Sequence, residues 1–126
     1  MYEIALDEAW ELFGAYLDGA RSALVCVLSG SALDERSRAA LCSAANSLGY
    51  GPAACTFART EELDEAALFQ MIEGLDPLCL IAADSQAAQA LGRTYRCDIP
   101  LKKPSRAFGR SVVAFSSFAS MLNDGQ

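Results

Sequence analysis

Four apolar runs in this sequence end in small polar or acidic residues, at positions where a binding site can form. Ser29-Gly30-Ser31 follow the first run, Thr60 the second, Asp84 the third and Ser116 the last. If the runs are strands of a parallel sheet, these residues lie at its carboxyl edge and lead into helix N-termini. Free N–H groups there attract anions. Each residue also makes an ordinary helix N-cap, which is the simpler interpretation of each turn.

Catalytic chemistry has little support in these turns. The chain has no His, which removes Ser-His and Cys-His nucleophile pairs and His-ligated metal sites. Ser29-Gly30-Ser31 lacks the further glycines of a dinucleotide turn and the Gly-Lys-Ser/Thr of a phosphate loop. Asp84 is a candidate for activating water at a strand end, but its position also predicts an N-cap. We therefore predict no catalytic residue, no cofactor and no metal ion, and the sequence favours a non-enzymatic protein.

The five cysteines indicate a reducing compartment. Their spacing contains no Cys-x-x-Cys pair for zinc or dithiol chemistry, and their number is odd. Cys26, Cys55 and Cys79 lie within apolar runs, where a thiol packs as a small core residue. No apolar run approaches the roughly 20 residues that span a bilayer, and residues 1–20 carry acids but no base. We expect a cytoplasmic protein that does not associate with membranes.

Basic side chains are concentrated in one segment of an otherwise acidic chain. Residues 93–110 contain six bases and one acid, Asp98, whereas the whole chain carries a net charge of −6. The six bases are Arg93, Arg96, Lys102, Lys103, Arg106 and Arg110. This asymmetry predicts an anionic partner, or self-association between the basic loop and an acidic face such as the first helix. The alternative is a solvated loop whose bases pair with nearby acids. Nucleic-acid binding by the loop alone is expected to be weak, because the acidic body repels a phosphate backbone.

Helical and strand patterns alternate along the chain and predict an α/β fold. The helices are predicted at 4–19, at 32–48 with Ser31 as N-cap, from Thr60 or Asp64 to 73, at 84–91, and from Ser116 or Ser117 to 122. The strands are predicted at 23–28, 52–57, 78–82 and 111–115, with a possible edge strand near Ile99 in an extended loop over 93–110. This order implies one domain over 1–126, a three-layer αβα sandwich with a four-stranded, mainly parallel sheet.

Two stretches resemble the uracil-DNA glycosylase superfamily. Residues 75–92 read Leu-Asp-Pro-Leu-Cys-Leu-Ile-Ala-Ala-Asp-Ser-Gln-Ala-Ala-Gln-Ala-Leu-Gly, similar to that family's Pro-led strand, turn and Ala-x-x-x-Leu-Gly helix. Residues 107–117 resemble its Gly and last strand. The family's His-Pro motif after that strand is replaced here by Ser116-Ser117, and its acidic water-activating motif by Ser29-Gly30-Ser31. The resemblance therefore implies the fold without the catalytic residues.

Two functional hypotheses follow. The first is a non-catalytic interaction module whose basic loop, including Lys102 and Lys103, faces an anionic partner. The second is a uracil-DNA glycosylase-like enzyme, or another enzyme or binder for a small phosphorylated or nucleotide-like ligand. Its site would lie over Ser29–Ser31, Asp84 and Ser116, with Arg106 or Arg110 as the anion clamp. Both hypotheses require the basic loop to rise at the same edge of the sheet as the helix N-caps.

Overall fold

A single mixed sheet of six strands organises the chain. The computed structural model describes residues 2–21, 24–31, 33–51, 54–101, 105–107 and 109–124. The helices are α1 (Tyr2–Phe13), α2 (Glu35–Ser47), α3 (Glu65–Leu75), α4 (Ser85–Tyr95) and α5 (Phe118–Asp124). The strands are β1 (Leu17–Gly19), β2 (Val25–Ser29), β3 (Cys55–Arg59), β4 (Cys79–Ala82), β5 (Ser105–Ala107) and β6 (Arg110–Ala114), in the order β1-β3-β2-β4-β6-β5. Among these residues, no helix has the length and apolarity needed to cross a bilayer.

The central strands are apolar on both faces because helices cover both faces. In β2, Cys26 and Leu28 pack into the core beneath α1, α3 and α4. Val25 and Val27 of the same strand pack on the opposite side with residues of α2 and α5. Strands buried on both faces read as continuous apolar runs rather than alternating ones, which is why the sequence predicts them well.

The α/β class is confirmed, but the prediction of a four-stranded sheet is wrong. β3, β2, β4 and β6 are parallel, and two further strands extend the sheet: β1 pairs with β3 and β5 with β6, both antiparallel. The helix predicted over 4–19 ends at Phe13, and a 3-10 turn precedes β1. Gly19 ends β1 at φ +97°, where a Cβ would lie 2.6 Å from the Cys55 carbonyl oxygen, so only glycine allows this approach.

Several helices and strands also begin or end at residues other than those predicted. Asp34, not Ser31, precedes α2, so Ser31 is not its N-cap. Of the two candidates before α3, Asp64 is the cap: its carboxylate accepts a hydrogen bond from the Ala67 N–H at 2.8 Å. α4 continues past Gly92 to Tyr95 and ends at Arg96, which has left-handed backbone. Ile99 lies outside the strands, whereas β5 begins at Ser105 within the segment predicted as a loop.

Candidate functional site

β2 and β4 are neighbouring parallel strands whose chains leave the sheet toward opposite faces. β2 is followed by α2 on one face, and β4 is followed by α4 on the other. In open α/β sheets, ligands bind in the crevice outside the carboxyl ends of two such strands. The structure places Gly30 and Asp84 together at this crevice. Ser116 joins them, because its carbonyl oxygen accepts a hydrogen bond from the Ser85 N–H at 3.0 Å.

Side chains of the protein itself close this crevice. One Asp84 carboxylate oxygen lies 2.9 Å from the Gly30 nitrogen, and the other accepts from the Ala87 N–H at 2.8 Å. Asp84 is therefore the N-cap of α4, as predicted, and it also ties the two central strands together. Gln86 lies against Gly30 so closely that a Cβ on Gly30 would meet its Oε1 at 2.0 Å. A built-in carboxylate thus holds the position that a helix N-terminus offers to an anion.

Arg106 and Arg110 of the basic segment do not lie at the edge where Asp84 and Ser116 lie. Arg110 begins β6 and Arg106 lies opposite Ser111, so both are at the amino edge of the parallel strands. The predicted clamp of Arg106 or Arg110 over Ser29–Ser31 is therefore wrong. β6 runs parallel to β4, so Arg110 at its start lies at the amino edge. Ser116, which follows the end of β6, lies at the carboxyl edge. Lys102 and Lys103 lie outside the described residues.

Arg110 is buried and paired within the molecule. Its Nε donates to the Pro77 carbonyl oxygen at 2.9 Å, and its other nitrogens donate to Glu73 at 3.2 Å and Asp76 at 2.8 Å. The Tyr95 hydroxyl also donates to Glu73, at 2.7 Å. Burial, and then the bond to the Glu73 carboxylate, raise the pKa of Tyr95 above its ordinary value. Arg110 thus follows the alternative considered for the loop, in which its bases pair with nearby acids.

A groove between α4 and residues 96–101, which we call the α4 groove, has a volume of about 670 Å³. Its wall on α4 includes Gly92 and Arg93, and the facing segment includes Arg96, Ile99 and Leu101. Gly92 permits this arrangement, since a Cβ there would lie 2.9 Å from the Cys97 carbonyl oxygen. The sequence predicted that this helix ends at residue 91, but α4 continues through Gly92. The structural role of Gly92 is to let the returning chain pack against the helix.

The α4 groove joins basic and apolar surface. Arg93 and Arg96 are exposed, and the pair between Arg93 and Glu65 is long, at 3.8 Å, with both side chains 60% exposed. Such a pair contributes little to stability, so the Arg93 guanidinium can exchange partners at small cost. Leu101 is 45% exposed and provides an apolar patch beside the two bases. Among the described residues that line the groove, Asp98 is the one acid.

A smaller pocket, of about 220 Å³, lies where β2 and β3 end, and we call it the β3 pocket. Arg38, from α2, and Arg59, the last residue of β3, both line it with Ser29. Sequence reasoning placed Arg59 with Thr60 in a candidate strand-end turn without giving it a binding role, and it missed Arg38. Arg59 directly precedes Thr60, a predicted strand-end residue, so its place at the carboxyl edge was a usable signal. Arg38 carried no such signal, because only the packing of α2 brings it to this edge.

The cysteines of the described residues are free, and three of them are poorly ionised. Burial raises the pKa of the Cys26 thiol to about 12 and that of the Cys55 thiol to about 12. Burial also raises the pKa of the Cys79 thiol. Thiols that stay protonated are poor nucleophiles and poor metal ligands. No group of three or more Cys, Asp or Glu side chains within the described parts of the chain is arranged to hold a metal ion.

No protein-family model matches the chain, and no curated protein matches its sequence. Function is therefore inferred from the geometry and charge of the two basic sites.

Proposed function

We propose that the chain is a non-catalytic interaction module that binds an acidic, extended segment of a partner protein in the α4 groove. One observation carries the proposal: exposed guanidinium groups of Arg93 and Arg96 line a groove of about 670 Å³ that also has an apolar wall. The sequence hypothesis required the basic segment at the carboxyl edge of the sheet, and Arg106 and Arg110 do not lie there. The proposal keeps the anionic partner but moves its binding surface to the α4 groove, which the first two bases of the segment line.

The chemistry of the α4 groove suits carboxylates followed by apolar side chains. Arginine forms paired hydrogen bonds with a carboxylate, and it does so with more directional preference than lysine. Ile99 and Leu101 offer apolar contacts to neighbouring side chains of the bound segment. The volume lies within the range of roughly 300–1,000 Å³ that is typical of sites for drug-sized ligands. A short stretch of acidic peptide fits that size.

The use of polar groups at the strand ends supports a function without catalysis. The Asp84 carboxylate is engaged by backbone N–H groups, and the Ser117 hydroxyl accepts from the Ser120 N–H at 3.2 Å. Such bonds stabilise helix N-termini and leave little for substrate. We also propose that the chain has the fold of the uracil-DNA glycosylases without their activity, and that it acts in a reducing, cytoplasmic compartment. An assay on uracil-containing DNA should therefore release no uracil.

Binding of a labelled peptide tests the proposed function. The probe is a fluorescein-labelled peptide of alternating Glu and Leu, titrated by fluorescence anisotropy at low and at high NaCl. Charge reversal in the variant Arg93→Glu/Arg96→Glu should weaken binding about tenfold or more, since each charged contact contributes about 1 kcal/mol or more when partly desolvated. High salt should weaken binding of the wild type.

Arg106→Glu provides the matched control. It reverses an exposed base of the same segment that is not among the residues lining the α4 groove. We expect this variant to bind the acidic peptide within about twofold of wild type, because an exposed charge outside the groove is screened. A peptide of alternating Lys and Leu should not bind. Equal losses in Arg106→Glu and in Arg93→Glu/Arg96→Glu, or binding that salt does not weaken, would overturn the proposal.

A further inference from the structure

We propose that the β3 pocket is a binding site for a small phosphorylated ligand, held by Arg38 and Arg59 with the hydroxyl of Ser29. The proposal is independent of the α4 groove, which lies along α4 on the other face of the sheet. Neither arginine belongs to the basic segment at residues 93–110.

Three separate elements bring these side chains together at the carboxyl edge of the sheet. Ser29 and Arg59 are register partners at the ends of β2 and β3, so their side chains project to the same face. Arg38 descends onto this face from α2, and its guanidinium lies 4.6 Å from the centre of the Phe57 ring. Carboxyl ends of parallel strands are where ligands gather in open α/β sheets. The β3 pocket therefore occupies a favourable position beside the crevice that Asp84 closes.

Both guanidinium groups are held in place and keep donors for a ligand. Arg59 donates from one Nη to the Ala15 carbonyl oxygen at 2.6 Å and stacks over the Tyr16 ring at 5.7 Å. A guanidinium has several N–H donors, so one bond of this kind leaves others available. Holding the side chain in advance lowers the entropy lost on binding. Two such groups lining one small pocket can contact different oxygens of a phosphate.

Arg38 already binds an anion at the rim of the β3 pocket. One of its Nη atoms lies 2.6 Å from a carboxylate oxygen of Asp18, whose side chain is 68% exposed. This hydrogen bond lowers the pKa of Asp18 below its ordinary value. The exposed carboxylate shows which way Arg38 presents its N–H groups. With Asp18 counted, the charged side chains lining the pocket still carry one net positive charge in a protein of net charge −6.

The size of the pocket selects the ligand class. Its volume of about 220 Å³ is smaller than the roughly 300 Å³ at which sites for drug-sized ligands begin. A phosphate group with a short organic portion fits such a space, whereas a complete nucleotide would extend beyond it. Free phosphate and a small phosphate monoester share the recognised chemistry. They are distinguished by experiment.

Calorimetric titration and thermal unfolding with inorganic phosphate and with glycerol phosphate test the site, with sodium sulfate and sodium chloride at equal ionic strength as references. At about ten times its Kd, a ligand of the native state should raise Tm by roughly 3 °C or more in a domain of this size. A tighter Kd for glycerol phosphate than for phosphate supports a monoester as the ligand, and equal Kd values support free phosphate.

Variants of the β3 pocket and a matched control test whether phosphate binds there. Arg59→Gln should weaken phosphate binding about tenfold or more, Arg59→Lys should weaken it less, and Ser29→Ala should weaken it severalfold without changing charge. Arg93→Gln, in the α4 groove, should leave the phosphate Kd unchanged while it weakens the acidic peptide. No phosphate-specific shift in the wild type overturns the proposal, as do equal phosphate Kd values in wild type, Arg59→Gln and Ser29→Ala. Either result would leave the peptide site of the proposed function standing.

Discussion

The Asp84 carboxylate lies 2.9 Å from the backbone nitrogen of Gly30 and so joins the loops that leave two adjacent central strands. The same side chain caps α4 through the Ala87 N–H. One residue therefore fixes the relative position of β2, β4 and the helix that bears the α4 groove. This double use of a single carboxylate explains why a polar strand-end cluster that resembles a ligand site is instead part of the framework.

Asp84→Ala should destabilise the protein more than an ordinary cap substitution does. The change removes the cap and leaves the part-buried Gly30 N–H without its acceptor, so we expect a loss of about 2–3 kcal/mol in the free energy of unfolding. Asp64→Ala, which removes only the cap of α3, should cost about 1 kcal/mol. Urea unfolding followed by circular dichroism measures both. Equal losses in the two variants would contradict the linking role of Asp84.

Gly92→Ala should destabilise the protein even though alanine favours helices. An alanine in a helix interior is usually more stable than glycine by roughly 0.5–1 kcal/mol. Here its Cβ would meet the backbone oxygen of Cys97 at 2.9 Å, so residues 97–101 must move away from α4. We expect a net loss of stability and faster labelling of the Cys97 thiol by a maleimide. Gly14→Ala is the control, since a Cβ there has nothing within 4 Å. Stabilisation by Gly92→Ala would contradict the close packing.

Arg110→Met should lower stability without changing binding in the α4 groove. The substitution removes contacts to Pro77, Glu73 and Asp76 that a buried guanidinium makes. Breaking a buried ion pair costs several kcal/mol, but the side chains of both acids here are more than 40% exposed and can be rehydrated. We therefore expect a loss of about 2 kcal/mol. Thermal unfolding and the peptide titration measure the two effects. A large loss of peptide affinity in a folded Arg110→Met protein would show that Arg110 takes part in binding.

Stability should fall as the pH rises from about 9 to about 12. In the folded protein, the pKa of Cys26 is about 12 instead of 9.0, and the pKa of Tyr95 is also raised from 10.0. Both groups release protons more readily in the unfolded chain, so the free energy of unfolding is highest below these unfolded pKa values and declines above them. Urea titrations under reducing conditions at several pH values measure the decline.

Tyr95→Phe separates one contribution to this alkaline loss. The variant cannot ionise at residue 95, so its free energy of unfolding should decline less than that of wild type above about pH 10. The difference between the two proteins, set at neutral pH by the hydrogen bond to Glu73, should therefore shrink as pH rises. A constant difference across the range would contradict a raised pKa for Tyr95 in the folded state.

The sequence predicted well the strands that are buried on both faces, because such strands appear in the sequence as continuous apolar runs. β2 and β4 are continuous apolar runs because helices cover both of their faces. β1 and β5 are three residues each, which is too short for a periodic pattern, and each forms only because a longer strand offers its edge. Tertiary pairing, rather than local preference, decides such strands.

The sequence predicted that a basic surface exists, but it did not predict where the basic residues lie in the fold. The count of bases over 93–110 indicated a basic surface, and Arg93 and Arg96 do line the α4 groove. The count carried no information on where the chain reverses, and the hairpin between β5 and β6 places Arg106 and Arg110 at the amino edge of the sheet, outside the residues that line the α4 groove. Arg38 and Arg59 are separated by 21 positions in the sequence, so only the pairing of β2 with β3 and the packing of α2 reveal that they share a pocket.

The short antiparallel strands at the two borders of the sheet also bear on how copies of this chain behave at high concentration. A parallel sheet that ended at β3 and β6 would present unpaired N–H and C=O groups along five residues at each border. β1 and β5 cover much of those borders and leave outward rows of three residues. Rows this short are poor templates for strand addition by a neighbouring molecule. The fold thus limits fibril-like aggregation while it leaves the α4 groove and the β3 pocket open.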